Sequence, residues 1–251
     1  MSPANRNRLD LILFEKKLVS SRQRGKSLIM AGKVMVDHKI VDKPGTLIRP
    51  DADIEIKEDM PFVSRGGYKL LEGLTAFDIR PQDMICLDVG ASTGGFTDCL
   101  LQHGAQKVFS VDVGYGQLAW KLRNDPRVVV IERANIRKLP MDALPCKVDL
   151  VTIDVAFISL RIVIPSVLKF MKKDASIIAL IKPQFEVGKG KVGKGGVVRN
   201  PEDHRLVIQE LTDFCHGYGL KSHTAVPSPI LGPKGNKEFL IHLFGEVQYQ
   251  I

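Results

Sequence analysis

The sequence has no long apolar run and no closely spaced cysteines. Its longest uninterrupted apolar stretch, Ile177 to Ile181 with Ala175 just before, falls far short of the roughly 20 residues that cross a bilayer. No apolar N-terminal run precedes a small-residue cleavage site, so the expectation is a protein neither secreted by the usual route nor membrane-spanning. The four cysteines, at 86, 99, 146 and 215, lie too far apart for a Cys-x-x-Cys metal pair. They fit buried thiols in a reducing compartment better than a disulfide framework. What is present is ordinary for a folded chain: of 251 residues, 44% are hydrophobic and 25% charged, which argues against wholesale disorder. That length allows one large domain, or a small one plus a medium one.

Charge is unevenly spread. The net charge is +8, and residues 1–49 carry 11 Lys and Arg against 4 Asp and Glu, whereas residues 50–62 carry one Lys against five acids. A concentrated positive field is what a polyanion-binding surface needs, although a solvated basic face gives the same count. Within this segment Leu9, Leu11, Ile12 and Leu18 recur at near-helical spacing around Arg8 to Glu15. Ser20 or Ser21 caps a second helix, Arg22 to Ala31, that stops at Gly32. Val34-Met-Val36, Thr46-Leu-Ile48 and Asp53-Ile-Glu-Ile56 alternate as strands do, with Asp37-His38 and Lys43-Pro44-Gly45 as turns.

Arg8-Leu-Asp10, Lys17-Leu18, Ser21-Arg22, Gly32-Lys-Val-Met-Val36, Pro44 and Asp53-Ile-Glu-Ile56 resemble, in order and spacing, the S4 RNA-binding family over residues 6–58. The resemblance implies a small α+β domain over residues 1–59 that grips structured RNA by shape and backbone. Arg6, Arg8, Arg22, Arg24, Lys26 and Lys33 are its expected phosphate contacts. Residues 60–63 then read as a short linker, which would couple RNA binding by the first domain to whatever the second does.

From Ser64 onward the rhythm changes to strand and helix in alternation, with strands at 84–89, 107–113, 128–132, 148–154, 176–182, 221–227 and 237–244 and helices in the gaps. This predicts an α/β, Rossmann-like doubly wound domain over residues 64–251, its parallel sheet covered on both faces. A helix over 201–216 is well signposted, by Asn200 as cap, Pro201 at the first position, acids at 202 and 203, and glycines at 217 and 219.

Ile85-Cys-Leu-Asp-Val89 runs into Gly90-Ala-Ser-Thr-Gly-Gly95 and then Phe96-Thr-Asp-Cys-Leu-Leu101, a glycine-rich turn between a first strand and a first helix. The dinucleotide fingerprint needs a third-position glycine so that backbone can approach a pyrophosphate; here that position is Ser92, which disfavours a nicotinamide oxidoreductase. S-adenosylmethionine has no pyrophosphate and imposes no such demand, while a tight turn and a close helix still need Gly90, Gly94 and Gly95. The expected cofactor contacts are Ala91, Ser92, Thr93 and Phe96 beside those glycines, Ser64 at the domain entry, Asp112 on the ribose diol, Asn135 on the adenine amino group, and Asp154. Gly188-Lys-Gly-Lys-Val-Gly-Lys194 is a near miss for a phosphate-binding P-loop, because Gly195 stands where Ser or Thr must reach magnesium. Its Lys189, Lys191 and Lys194, with Arg199, are expected on RNA phosphate instead, as is Arg65; a solvated loop explains the same charges.

Ligands of open parallel sheets bind at the carboxyl ends of the strands. Asp154 ends Leu150-Val-Thr-Ile153 and Lys182 ends Ile177-Ile-Ala-Leu-Ile181, where a charge is costly without partners. Lys69 lies in Ser64-Arg-Gly-Gly-Tyr-Lys-Leu70, and Glu238 opens the last strand. The order Lys69, Asp154, Lys182, Glu238 resembles the catalytic tetrad of FtsJ-type ribose 2'-O-methyltransferases. With the S4 motifs in front, nearly the whole chain resembles the haemolysin A (TlyA) family. Ser64-Arg-Gly-Gly67, Asp88 to Phe96, Lys182-Pro-Gln-Phe-Glu186, Gly195-Gly-Val-Val-Arg199 and Ser228-Pro-Ile match its pattern; Ala156 departs from it, since the family usually has Ser there.

The resemblance implies methylation of a ribose 2'-OH, of cytidine, in ribosomal RNA of one or both subunits, by a cytoplasmic monomer or weak oligomer with no membrane partner. A sugar hydroxyl is a poor nucleophile, so a group must take its proton as it attacks the sulfonium methyl. Lys182 is the expected base, with Asp154 and Glu238 holding the two lysines. The donor is already activated, so alignment supplies much of the rate and no metal is implied. Two rivals remain: a non-catalytic RNA-binding module, against which the intact tetrad speaks, and a membrane-active haemolysin, for which no amphipathic or spanning segment is found.

Overall fold

A computed structural model describes residues 6–19, 21–30, 32–56, 61–188, 190–193 and 195–245. Ser20, Ala31, Lys189 and Lys194 lie outside them. The chain divides into two compact units, residues 1–61 and 62–251.

In the first unit, β1 (Asn7–Arg8) leads into α1 (Leu9–Glu15), and α2 (Arg22–Met30) follows, its start capped by Ser21 Oγ, which accepts the Arg24 N–H at 3.1 Å. Gly32 then turns the chain at φ +66° into β2 (Val34–Val36), β3 (Lys39–Ile40), β4 (Leu47–Ile48) and β5 (Ile54–Ile56). β2 pairs antiparallel with β3 and β5, and β1 with β4. Leu9, Ile12, Leu13, Leu28, Ile29, Val34 and Ile48 close its core. Leu11, grouped with the apolar positions of the first helix in the sequence, is only partly buried.

The second unit opens with α3 (Gly66–Ala76), then β6 (Ile85–Val89), α4 (Gly95–Gln102), β7 (Lys107–Val111), α5 (Trp120–Arg123), β8 (Val128–Ile131) and β9 (Val148–Ile153). It continues through α6 (Leu160–Leu168), β10 (Met171–Ile181), α7 (Pro201–His216), β11 (Lys221–Ser222), β12 (Val226–Pro227) and β13 (Phe239–Phe244). The sheet order is β11-β13-β10-β9-β6-β7-β8, with β12 also on β13. Alternate residues face opposite sides, as the strand period requires. Cys86, Val108, Leu150, Ile178 and Leu240 pack with α3 and α4, and Leu87, Phe109, Val151, Ile177 and Ile241 with α6 and α7.

Three features depart from the sequence expectation. The sheet is parallel only from β10 to β8; β13 runs antiparallel to β10 and β11, because no helix follows β11 to carry the chain back for a parallel crossover. The strand expected over 221–227 is two short pieces broken at His223 to Ala225. No α-helix fills 133–147 or 228–236, only 3-10 turns at Met141–Ala143 and Pro233–Gly235; Pro140 and Pro145 bracket the first turn, and Pro229 and Pro233 interrupt the second segment.

Candidate functional site

Sheet register brings three of the four charges together. Ile181 stands opposite Phe239 and Ala179 opposite Ile153, so Lys182, Glu238 and Asp154 emerge at one edge of the sheet on three adjacent strands. Lys69, one turn into α3, completes the set: its Nζ donates to Glu238 Oε2 at 2.5 Å. Lys182 Nζ lies 2.6 Å from Asp154 Oδ1. That second contact is an ion pair without hydrogen-bond alignment, since Asp154 Oδ1 accepts no hydrogen bond; Glu238 Oε1 accepts none either. All four side chains are largely shielded from solvent, where an unpaired charge is costly.

The glycine turn lies against this edge. Gly90 sits at φ +86°, where only glycine is unstrained, and a Cβ there would lie 2.6 Å from the Asp154 carbonyl oxygen. Gly95 starts α4 so close to α3 that a Cβ would come within 2.9 Å of the Gly67 nitrogen. Two helix N-termini therefore converge beside Ser64 and Phe96, a favourable place for a carboxylate. Ser92, at φ +48°, donates its N–H to Asp112 Oδ2 at 2.7 Å, and Gly114 donates to Oδ1 at 2.6 Å. Asp112 thus borders a narrow pocket with Ala91, Ser110, Gln117, Leu118, Val130 and Glu132. Thr93 is exposed and accepts the Ala119 N–H. Asn135 is exposed just beyond, its side-chain Oδ1 accepting the Arg137 N–H at 3.1 Å; it does not line the pocket.

Gln117 and Glu132 escaped the sequence reading. Glu132 follows β8 and binds Arg123 at 2.5 Å and the Gly116 N–H at 2.9 Å; the Arg123 hydrogen bond holds its carboxyl below the usual range. Its position directly after a strand was the available signal. In the sequence Glu186 stands only within the Lys182-Pro-Gln-Phe-Glu186 motif, yet it joins the loops after β9 and β10. It accepts Ser159 Oγ–H at 2.6 Å and the Leu160 N–H at 2.8 Å at the start of α6, and burial raises its pKa despite those bonds. Phe157, three residues past Asp154, is 90% exposed at φ +63°, its ring 5.1 Å from that of Phe185. No hydrophobic pattern requires a strained, exposed aromatic there.

Among the expected phosphate contacts, Arg8 and Arg22 are not independent. Both bind the fully buried Asp10, through Nε at 3.0 Å each. Burial opposes the Asp10 charge, but the two guanidiniums prevail and hold its carboxyl below the ordinary value. Arg6, Arg24, Arg65 and Arg199 are exposed and Lys26 and Lys33 half-buried. Lys191 is paired with Asp203 at 3.5 Å.

Residues 62–244 match the family model described as FtsJ-like methyltransferase, and residues 7–54 match the S4 domain. The chain belongs to the FtsJ-like methyltransferase family. Over 242 residues it is 46% identical to the 16S/23S rRNA (cytidine-2'-O)-methyltransferase TlyA of Mycobacterium tuberculosis, covering 96% of this chain and 90% of that one. It is 39% identical to hemolysin A of Brachyspira hyodysenteriae, over 94% of this chain and 98% of the relative. A solved structure described as a hemolysin from Streptococcus thermophilus shares 40% identity at a TM-score of 0.74, over 97% of this chain and 90% of that chain.

As an FtsJ-like methyltransferase, the chain uses S-adenosylmethionine. The residues fit that group: converging helix starts for its carboxylate, an acid beside a narrow pocket for its ribose, and no demand for a third-position glycine.

Beneath the turn, Asp88 on β6 is fully buried, accepting Thr97 Oγ–H at 2.7 Å and Thr152 Oγ–H at 3.1 Å. Burial, opposed by these bonds and reinforced by Asp154, pushes its pKa up to about 7. The folded state therefore keeps this proton to higher pH than the unfolded chain, so stability falls as pH rises from about 4 to about 7 and then levels. In Asp88→Asn that slope, of order 1 kcal/mol per pH unit at its steepest, is expected to vanish in urea unfolding followed against pH. Parallel curves for variant and wild type would show that Asp88 does not titrate in this window.

Proposed function

We propose that this chain methylates a ribose 2'-OH, of cytidine, in ribosomal RNA, with residues 1–59 as its RNA-gripping domain and 60–63 as linker. An S4 domain and an rRNA-methyltransferase relative point to RNA; the chosen hydroxyl is the finer reading. The observation that carries it is the contact between cofactor turn and paired charges, where Gly90 packs on the Asp154 backbone and Asp154 pairs with Lys182. No helix among the described residues is long and apolar enough to cross a membrane, and an rRNA substrate supports the reading of a cytoplasmic protein.

When bound, S-adenosylmethionine supplies a methyl group already activated by its sulfonium. The chain's task is to align the hydroxyl oxygen and remove its proton as the C–O bond forms. Lys182, once its ammonium has released a proton to solvent, takes the hydroxyl proton as a neutral amine, and Asp154, 2.6 Å away, stabilises the ammonium that forms again. Lys69, neutralised by Glu238 at 2.5 Å, fixes the opposite side. Phe157 offers an exposed ring beside Asp154 on which a base can stack.

The test is tritiated methyl transfer to 30S subunits, 50S subunits and naked rRNA, followed by nucleoside analysis. Label is expected in 2'-O-methylcytidine and should fall at least about 100-fold in Lys182→Ala. Label on a base, or wild-type transfer by the variant, would contradict the reading.

In the first unit, Asp10 orders Arg8 and Arg22 as a pair. Asp10→Asn removes a negative charge, which on net charge alone should tighten RNA binding. If pre-ordering matters more, the folded variant binds RNA several-fold more weakly in filter binding at fixed salt; equal or tighter binding would count against the paired clamp.

A further inference from the structure

Two turns close to Glu238 each carry exposed basic side chains. Gly193 and Val197 pair in an antiparallel bridge, with the Gly196 N–H on the Gly193 oxygen at 3.0 Å. Residues 232–236 close on themselves through the Gly232 N–H and the Asn236 oxygen at 2.9 Å, with Lys234 at φ +60°. Arg199, Lys234 and Lys237 are all exposed, and a Cβ on Gly196 would lie 3.6 Å from Lys234 Nζ. One side chain holds the two turns to each other.

Asn236 is that connection. It is 2% exposed; its Oδ1 accepts the Val198 N–H at 3.1 Å and its Nδ2 donates to the Gly196 oxygen at 2.9 Å. Val197 and Val198 are buried, and the Val198 oxygen is taken by the His204 ring at 2.9 Å. A planar amide presents a donor and an acceptor side by side, which a carboxylate does not. Two residues on comes Glu238, whose Oε1 lies so close beneath Gly232 that a Cβ there would overlap it.

We propose that Asn236 is a positioning residue for substrate RNA, stapling the turns of Arg199 and of Lys234 and Lys237 into one phosphate-gripping surface beside the Lys69–Glu238 pair. This rests on the reading of the chain as an RNA methyltransferase. Phosphate contacts set the register of the nucleic acid without reading its sequence. A grip built on the turn that leads into Glu238 registers the ribose against the charged edge.

Methyl transfer at varied RNA concentration tests this, alongside S-adenosylmethionine affinity by calorimetry. For Asn236→Ala, the KM for RNA is expected to rise about tenfold or more, with cofactor affinity within about twofold of wild type. Arg199→Ala should raise KM in the wild-type background and less so in the Asn236→Ala background, because the surface it serves is already loose. An unchanged KM, or an equal fall in cofactor affinity, would overturn the proposal. If Asn236→Ala fails to fold, Arg199→Ala and Lys234→Ala decide: a raised KM for RNA supports the surface and wild-type values overturn it. Wild-type protein inert on every RNA would instead remove the underlying reading, whereas active wild type matched by Asn236→Ala removes this inference alone.

Discussion

Charges taken out of water must be paired, and this constraint organises the methyltransferase unit. Asp154 and Lys182 follow the ends of β9 and β10 and Glu238 precedes the start of the antiparallel β13, all at one edge of the sheet, and α3 supplies Lys69. Each lysine has one carboxylate within 2.6 Å, so the edge holds four charges at no net charge. Removing one partner leaves the other stranded in a shielded setting, which costs more than the pair contributes.

The surrounding structure serves that edge. Gly90 allows the glycine-rich turn to touch the Asp154 backbone, and Gly95 allows the start of α4 to meet that of α3, which carries Lys69. Glu186 ties the loop after Lys182 to the start of α6, close behind Asp154, and Asn236 ties the turn before Glu238 to the segment after Gly195. Beneath, Asp88 links β6, α4 and β9 through Thr97 and Thr152. Buried polar groups of this kind are favourable only when satisfied, and then they specify one arrangement.

Local signals were legible in the sequence, and long-range pairings were not. Asn200 followed by Pro201 and two acids marked the start of α7, and the helix begins at Pro201 with Asn200 Oδ1 on the Glu202 N–H. The four charges stood out because each follows or adjoins an apolar run. Which lysine joins which carboxylate could not be read, since Lys69 and Glu238 are 169 positions apart. The reversed direction of β13 was hidden for a similar reason: alternation of apolar residues is the same in either sense, and only the missing crossover helix tells them apart. Arg8 and Arg22 looked like free surface cations because Asp10, buried between them, reads in sequence as one more helix residue.

Each lysine and its carboxylate act as one unit. Single-turnover methyl transfer should be measured for Lys69→Ala, Glu238→Ala and the double variant, with folding checked in each. If Lys69 acts through Glu238, each single change slows transfer and the double is no slower than the worse single, a coupling of roughly 1–3 kcal/mol. Losses that multiply would mean that the two residues act independently, and the paired edge would not be the organising feature of the site.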